Sequence, residues 1–185
     1  EHSTTRKAQM NLIIRSFRDS DLDTVLDIAV AAWQPIFASS KEIVGNELFE
    51  LTHPDPDASK CAQVAGACRD DDPRQVWVAE SDGDKELATK GEGPPGAKII
   101  GFIIVHMYLE RKVAEIGNNA VSPAFQGRGI GAQMYAFVLE RMREAGMKAA
   151  IVTTGGDDAH APARRAYEKA GFSGPVPSME YHIEL

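Results

Sequence analysis

Residues 121–132 read VSPAFQGRGIGA, and this stretch says more about the fold than any other part of the chain. An apolar run ends at Val121, a proline follows, and three alternating glycines open a helical pattern. Glycines at this spacing let several backbone N–H groups converge on one point, because no Cβ atoms stand in the way. The following helix adds unsatisfied N–H groups and the positive end of its dipole. The stretch therefore predicts a site for a phosphate or pyrophosphate.

The patterns on either side of this glycine turn predict a strand–helix–strand unit. Apolar residues recur at helical spacing after the turn, namely Ile130, Met134, Val138 and Met142. Gly146 stands where a left-handed residue commonly ends a helix. The short apolar run at 149–152 is typical of a buried parallel strand. Together these elements predict a right-handed βαβ unit.

The rest of the chain predicts helices around an antiparallel meander. In order, we expect a strand at 12–15, a helix from Leu22 to Trp33, helices at 40–51 and 57–68, strands at 76–79, 99–109 and 113–121, a helix at 162–171 and a strand at 179–185. Pro35 is expected to end the first helix, because an interior proline breaks the helical hydrogen-bond ladder. The whole is one α+β domain at residues 12–185, preceded by a flexible polar tail at 1–11.

Composition narrows the range of functions. With 185 residues, 43% of them hydrophobic, the chain can bury one good core but is short for two domains. A net charge of −7 argues against nucleic acid or anionic membrane as a partner, and fits an amine-bearing small molecule better. No apolar run approaches the length of a membrane span. Cys61 and Cys68 do not form a CxxC pair. We therefore expect a soluble cytoplasmic protein.

Three kinds of phosphate site compete for the glycine turn. A Walker A loop requires Gly-Lys-Ser/Thr, whereas residues 131–133 read Gly-Ala-Gln. A dinucleotide-binding turn accepts Gly127, Gly129 and Ala132, but it needs an acidic residue at the end of the next strand. Residues 153–156 at that position read Thr-Thr-Gly-Gly. The third kind of site binds coenzyme A.

Two sequence blocks resemble the GCN5-related N-acetyltransferase (GNAT) superfamily. The cofactor loop of that family reads Q/R-x-x-G-x-G/A, and QGRGIG at 126–131 matches every specified position. Residues 163–172 resemble the family's A-x-x-x-Y-E-K-x-G-F segment. The specific match covers roughly residues 114–172, while the N-terminal half matches in outline. The resemblance implies a mixed central sheet, mostly antiparallel, in which a parallel pair around the βαβ unit splays apart.

By this resemblance the chain is expected to bind acetyl-CoA in the gap between the splayed strands. Backbone groups of Ala120 and Val121 would hold the pantetheine arm as a neighbouring strand does. His160 stands where the family commonly has Asn; a cofactor contact or a helix cap is favoured over a role in proton transfer. The loop expected to hold the pyrophosphate consists of Gln126, Gly127, Arg128, Gly129, Ile130, Gly131 and Ala132.

The resemblance also implies catalytic residues. Tyr167 aligns with the family's usual general acid and would protonate the leaving coenzyme A sulfur; packing of its ring on the core is the alternative. Glu115 is the candidate base, and strand alternation predicts that it shares a face with Gly117 and Asn119. A surface carboxylate explains Glu115 equally well, and His106 is a weaker candidate.

The expected function is acetyl transfer from acetyl-CoA to a primary amine of a small molecule or peptide, by direct attack in a ternary complex. A non-catalytic acyl-CoA-binding or sensor module is the main alternative, and a dinucleotide oxidoreductase is another. Trp33, Gln34 and Phe37 lie in the region that shapes the acceptor pocket in relatives, and core or lid packing explains the two aromatic residues at least as well. The segment 155–160 offers too few ligands for a metal site, so none is expected. Homodimerisation is left open.

Overall fold

The computed structural model describes residues 12–69, 71–81 and 98–184. The expected tail at 1–11 therefore lies outside the described residues. Three short 3-10 turns, at 19–21, 123–125 and 158–160, connect some of the longer elements. The strands and helices are β1 (Leu12–Ser16), α1 (Leu22–Val44), α2 (Asn46–Thr52), α3 (Pro56–Ala67), β2 (Gln75–Ser81), β3 (Lys98–Tyr108), β4 (Val113–Val121), α4 (Ile130–Glu144), β5 (Ala149–Val152) and α5 (Ala161–Lys169).

The strands form one mixed sheet in the order β1-β2-β3-β4-β5. Neighbouring strands are antiparallel from β1 to β4, whereas β4 and β5 are parallel. The parallel ladder is short, since it runs only from the pair Val113–Ala149 to the pair Ile116–Val152. Residues 119–121 of β4 pair with β3. The predicted mixed sheet, mostly antiparallel with one splayed parallel pair, is confirmed.

Helices cover both faces of the sheet. The buried residues of α4 pack with Tyr167 of α5 on one face, which we call the α4/α5 face. Helices α1 and α3 cover the other face, which we call the α1/α3 face. Strand β3 serves both cores because its side chains alternate: Ile103 and Val105 lie on the α4/α5 face, and Phe102 and Ile104 lie on the α1/α3 face.

A bulge interrupts β4 halfway along its length. Asn119 pairs with Ile103 and Ile116 pairs with Val105, so residues 117 and 118 stand opposite Ile104 alone. Two residues against one shift the side-chain alternation of the strand by one position. Odd-numbered residues of β4 therefore point to one face of the sheet before the bulge and to the other face after it.

Helix α1 continues through Pro35 to Val44, so the prediction that Pro35 ends this helix is wrong. Pro35 is exposed and removes one backbone hydrogen bond. Tertiary contacts hold the helix on both sides of the proline. Trp33 packs under Lys60 of α3, and Ser39 donates a hydrogen bond to Asp157 in the loop after β5.

The predicted strand at 179–185 is also wrong over the residues that can be checked. Residues 173–184 form no helix or strand in the structure, and Leu185 lies outside the described residues. A strand needs a neighbour for its backbone hydrogen bonds, and an alternating apolar pattern alone does not supply one. The apolar side chains of this segment are exposed, namely Val176, Met179, Tyr181 and Ile183.

An ion pair with one buried partner, Asp21, joins the start of α1 to the sheet. Arg15 of β1 donates to both carboxylate oxygens of Asp21, at 2.7 and 3.1 Å, and its Nε donates to Glu80 at 2.8 Å. Asp21 is only 4% exposed and also accepts the Arg18 backbone N–H at 2.8 Å. The hydrogen bond from Arg15 is the main reason why the pKa of Asp21 lies below its ordinary value.

Asp21→Asn is expected to lower the free energy of unfolding by about 3 kcal/mol at pH 7, because it leaves Arg15 without its buried counter-ion. A lowered folded pKa means that this stabilisation is complete above about pH 4 and is lost as the pH falls through the folded pKa. The difference between the two proteins should therefore shrink in acid. Urea denaturation at several pH values measures it.

Glu80→Gln is the matched control, because Glu80 is the more exposed carboxylate on the same arginine. Its expected cost is about 1 kcal/mol or less. An Asp21→Asn difference that stays constant between pH 7 and pH 3 would contradict the interpretation.

Candidate functional site

The gap between β4 and β5 has an open edge on the β4 side. The parallel ladder ends at Ile116 and Val152, so the β4 backbone beyond the bulge has no β5 partner in the described residues. Ala120 is buried in the α1/α3 face, and Val121 packs on the α4/α5 face. Their side chains anchor the strand in the core, while backbone groups on its outer edge can bond an extended, amide-bearing ligand.

The glycine turn lies directly beyond this edge. Gly127 and Gly129 have φ angles of +74° and +79°, which only glycine adopts readily. A Cβ at either position would meet nothing within 4 Å, so the conformation and not crowding requires glycine. The Gln133 N–H donates the first bond of α4 to the Gly129 carbonyl at 3.2 Å. The N–H groups of residues 130–132 therefore precede the helical ladder and can bind an anion.

The predicted loop residues do not all contribute in the same way. Ile130 is buried in the core, so only its backbone can reach a ligand; Gly131 and Ala132 follow in the first turn of α4. The Gln126 amide donates to the Val121 carbonyl at 3.0 Å and thereby ties the turn to the end of β4. The Arg128 guanidinium lies 5.2 Å from the ring centroid of buried Phe125.

Tyr167 reaches β4 just beyond the bulge. Its hydroxyl accepts a hydrogen bond from the Asn119 side-chain amide at 3.1 Å, and Asn119 accepts one from the Tyr135 hydroxyl at 2.8 Å. Tyr167 is 8% exposed, and its ring centroid lies 5.2 Å from Tyr135 and 6.0 Å from Phe172. Burial raises the pKa of Tyr135. The ring of Tyr167 thus packs on the core while its hydroxyl is held at the splayed strand.

Glu115 does not share a face with Asn119, and that prediction is wrong. Glu115 precedes the bulge and accepts a hydrogen bond from Tyr108 at 3.0 Å, while its strand neighbours Ala114 and Ile116 point into the α4/α5 face. His106 pairs with Glu115 across the two strands. The bulge places Glu115 on the α1/α3 face and Asn119 on the opposite face with Tyr167.

His160 belongs to a hydrogen-bonded loop after β5. Its Nδ1 bonds Asp157, whose other carboxylate oxygen accepts from Ser39 of α1 at 2.8 Å. Although burial opposes the change, the hydrogen bonds from Ser39 and His160 lower the pKa of Asp157. Arg164 donates to the backbone carbonyls of Gly155 and Asp157 at 2.7 and 2.6 Å. His160 occupies the N-cap position of α5, but its side chain makes no capping bond.

Sequence reasoning missed Ser39, Asp157 and Tyr135 as parts of this region. The three-residue spacing of Asp157 and His160 was the one local signal available for this pair. Ser39 lies 118 residues from Asp157 in sequence, and nothing local links the two.

The α1/α3 face carries the residues expected near an acceptor. The Lys60 ammonium lies 4.0 Å from the ring centroid of Trp33 and 3.2 Å from the Asn118 side-chain oxygen. Burial lowers the pKa of Lys60 to about 8. Gln34 donates to Asp57 at 2.8 Å. Phe37 lies half-buried one turn along α1.

Within 12–69, 71–81 and 98–184, no group of three or more His, Cys, Asp or Glu residues could hold a metal ion. No helix in those ranges is long and apolar enough to cross a membrane.

Comparison with protein-family models identifies a family for this chain. The model of the Acetyltransferase (GNAT) family matches residues 40–172, which is more than half of the chain. No curated protein sequence matches the chain.

Solved structures share the fold over almost the whole chain. The PaiA N-acetyltransferase from Thermoplasma acidophilum, in complex with coenzyme A, is 16% identical with a TM-score of 0.63, covering 91% of this chain and 94% of that one. An aminoglycoside N-acetyltransferase in complex with CoA is 16% identical with a TM-score of 0.55, covering 97% and 99%. A transcriptional regulator from Bacillus halodurans is 21% identical with a TM-score of 0.56, covering 94% and 100%.

Proposed function

Since the chain belongs to the GNAT acetyltransferase family, we propose that it transfers an acetyl group from acetyl-CoA to a primary amine of a small molecule or peptide. One observation carries this proposal. The hydroxyl of Tyr167 is held at the splayed part of β4, and the same strand leads into the glycine turn. The candidate proton donor and the candidate anion-binding turn thus both lie beside β4, and this arrangement supports the proposal. Residues 12–185 would act as one catalytic domain.

Cofactor binding would use mainly backbone groups. The N–H groups of residues 128–132 would bind the pyrophosphate, supported by the charge of Arg128. The open edge of β4 around Ala120 and Val121 would bond the pantetheine arm, chiefly through the Val121 N–H, since the Val121 carbonyl already accepts from Gln126. His160 would lie beside this arm, held in one orientation by Asp157. Acetyl-CoA supplies the activated acyl thioester as the co-substrate.

The acceptor would enter on the α1/α3 face, because Glu115 points to that face and the contact between Lys60 and Trp33 lies there. Its neutral amine attacks the thioester carbonyl carbon, so a C–N bond forms and the C–S bond breaks. Tyr167 gives its proton to the departing sulfur, and the amine loses one proton to Glu115, directly or through water. A backbone N–H on the open edge of β4 would stabilise the oxyanion that forms in between.

The test begins with calorimetric titration of the purified chain with acetyl-CoA and CoA. We expect saturable binding of both, followed by release of CoA thiol with at least one amine from a panel of polyamines, aminoglycosides, amino acids and peptides. Failure to bind either thioester or thiol would overturn the proposal. Binding without thiol release from any acceptor would favour a non-catalytic acyl-CoA sensor instead.

A further inference from the structure

We propose that Asn119 is a positioning residue that fixes the hydrogen-bond direction at Tyr167, so that the phenolic proton is kept for the leaving sulfur. The inference rests on the proposed acetyl transfer, in which Tyr167 is the acid. Asn119 lies in β4, outside the two sequence blocks that resemble the GNAT family, and neither block assigns it a role.

The Gly117 carbonyl sets the orientation of the Asn119 amide. The Asn119 nitrogen donates to that carbonyl at 3.0 Å and to the Tyr167 hydroxyl at 3.1 Å. A backbone carbonyl can only accept, so the flipped amide would place two acceptors against each other. The amide oxygen therefore faces Tyr135, whose hydroxyl donates to it at 2.8 Å.

The two tyrosines consequently use Asn119 in opposite directions. Tyr135 donates its proton to the amide oxygen, and Tyr167 accepts a proton from the amide nitrogen. A hydroxyl that accepts from its neighbour still carries its own proton for another partner. Ring contacts with Tyr135 and Phe172 limit how far Tyr167 can turn away from this arrangement.

The bulge explains why an asparagine of β4 can reach Tyr167. Because residues 117 and 118 stand opposite one residue of β3, Asn119 is rotated onto the α4/α5 face. Asn118 contacts Lys60 of α3, on the opposite face. Adjacent asparagines thus offer a test residue and a matched control.

Asn119→Asp keeps the size of the side chain but replaces the donating nitrogen with an accepting oxygen. The carboxylate is repelled by the Gly117 carbonyl and can only accept from Tyr167, so the Tyr167 proton turns toward it and we expect kcat with acetyl-CoA to fall about 10- to 30-fold. The Kd for CoA should change less than about twofold, since Asn119 does not belong to the proposed cofactor-binding set. The measurement uses the best amine of the panel at saturation.

An acetyl thioester of thionitrobenzoate distinguishes a misdirected Tyr167 proton from a general loss of active-site structure in the variant. Its leaving group is a weak base and needs no proton, so the same variant should lose less than about threefold in turnover with this donor. Equal losses with both donors would overturn the proposal. Tyr135→Phe gives a second test: the Gly117 carbonyl still orients the amide, and we expect a smaller loss, about three- to fivefold.

A spectroscopic readout is independent of acetyl transfer. The chain has four tyrosines, so tyrosine labelled at 13Cζ gives four signals, and Tyr167→Phe identifies the relevant one. The Tyr167 signal should move downfield in Asn119→Asp, as its hydroxyl changes from acceptor to donor, and should stay in place in Asn118→Asp. An unmoved signal in Asn119→Asp would overturn the proposal. Absence of acetyl transfer in the unaltered protein would overturn the proposed function alone.

Discussion

Tyr167→Phe is expected to lower kcat for acetyl transfer by about 100- to 1,000-fold, the lower part of the range that a positioned general acid contributes. The phenyl ring keeps the contacts with Tyr135 and Phe172, because both involve the ring and not the hydroxyl. Stability and the Kd for CoA should therefore change little. Release of CoA thiol at saturating acetyl-CoA and amine measures the effect.

Tyr181→Phe is the matched control for this substitution. It removes the same atom from a tyrosine that is 83% exposed in the C-terminal segment. We expect its turnover to equal that of the unaltered protein. If Tyr167→Phe retains more than about a third of the turnover at every pH tested, Tyr167 is not the acid.

Gly129→Val should weaken CoA binding about 30- to 100-fold. Gly129 has a φ of +79° at the N-terminal end of α4, a conformation that a β-branched residue adopts only under strain. Relief of that strain turns the backbone N–H groups of the following residues away from a common point. Because the proposed pyrophosphate site consists of backbone N–H groups, the loss should appear in the Kd for CoA, measured by calorimetry.

Gly146→Val is the matched control, because it introduces the same backbone strain at a position outside the glycine turn. Gly146 has a φ of +77° just past the other end of α4, and a Cβ there also meets nothing within 4 Å. Both variants should lose about 1–2 kcal/mol of stability. Only Gly129→Val should lose affinity for CoA. Equal affinities in the two variants would remove the glycine turn from the proposed site.

The second half of the fold could be predicted from sequence because its signals are local. The predicted strands at 113–121 and 149–152 match β4 and β5, and a helix follows the glycine turn as expected. Glycine spacing, helical periodicity and a short apolar run each act within a few residues. These signals also placed Tyr167 on the last helix.

The errors arose where distant parts of the chain determine the outcome. Pro35 remains inside α1 because partners on α3 and after β5 hold both halves of that helix. The bulge in β4 depends on pairing with β3, so strand alternation put Glu115 on the wrong face. The tail pattern at 179–185 contains the alternation of a strand but not the neighbour that a strand requires.

The four-pair ladder between β4 and β5 has a consequence for local stability. Within the part of the chain that the structure describes, strand β5 is bonded along one side only, and helix α5 with Tyr167 follows it in the chain. Such weakly paired elements open at a lower free energy than the central strands. A ligand that bonds across the gap stabilises the closed arrangement by mass action. Thioester binding and the ordering of the segment that carries Tyr167, the proposed proton donor, would then be one thermodynamic event.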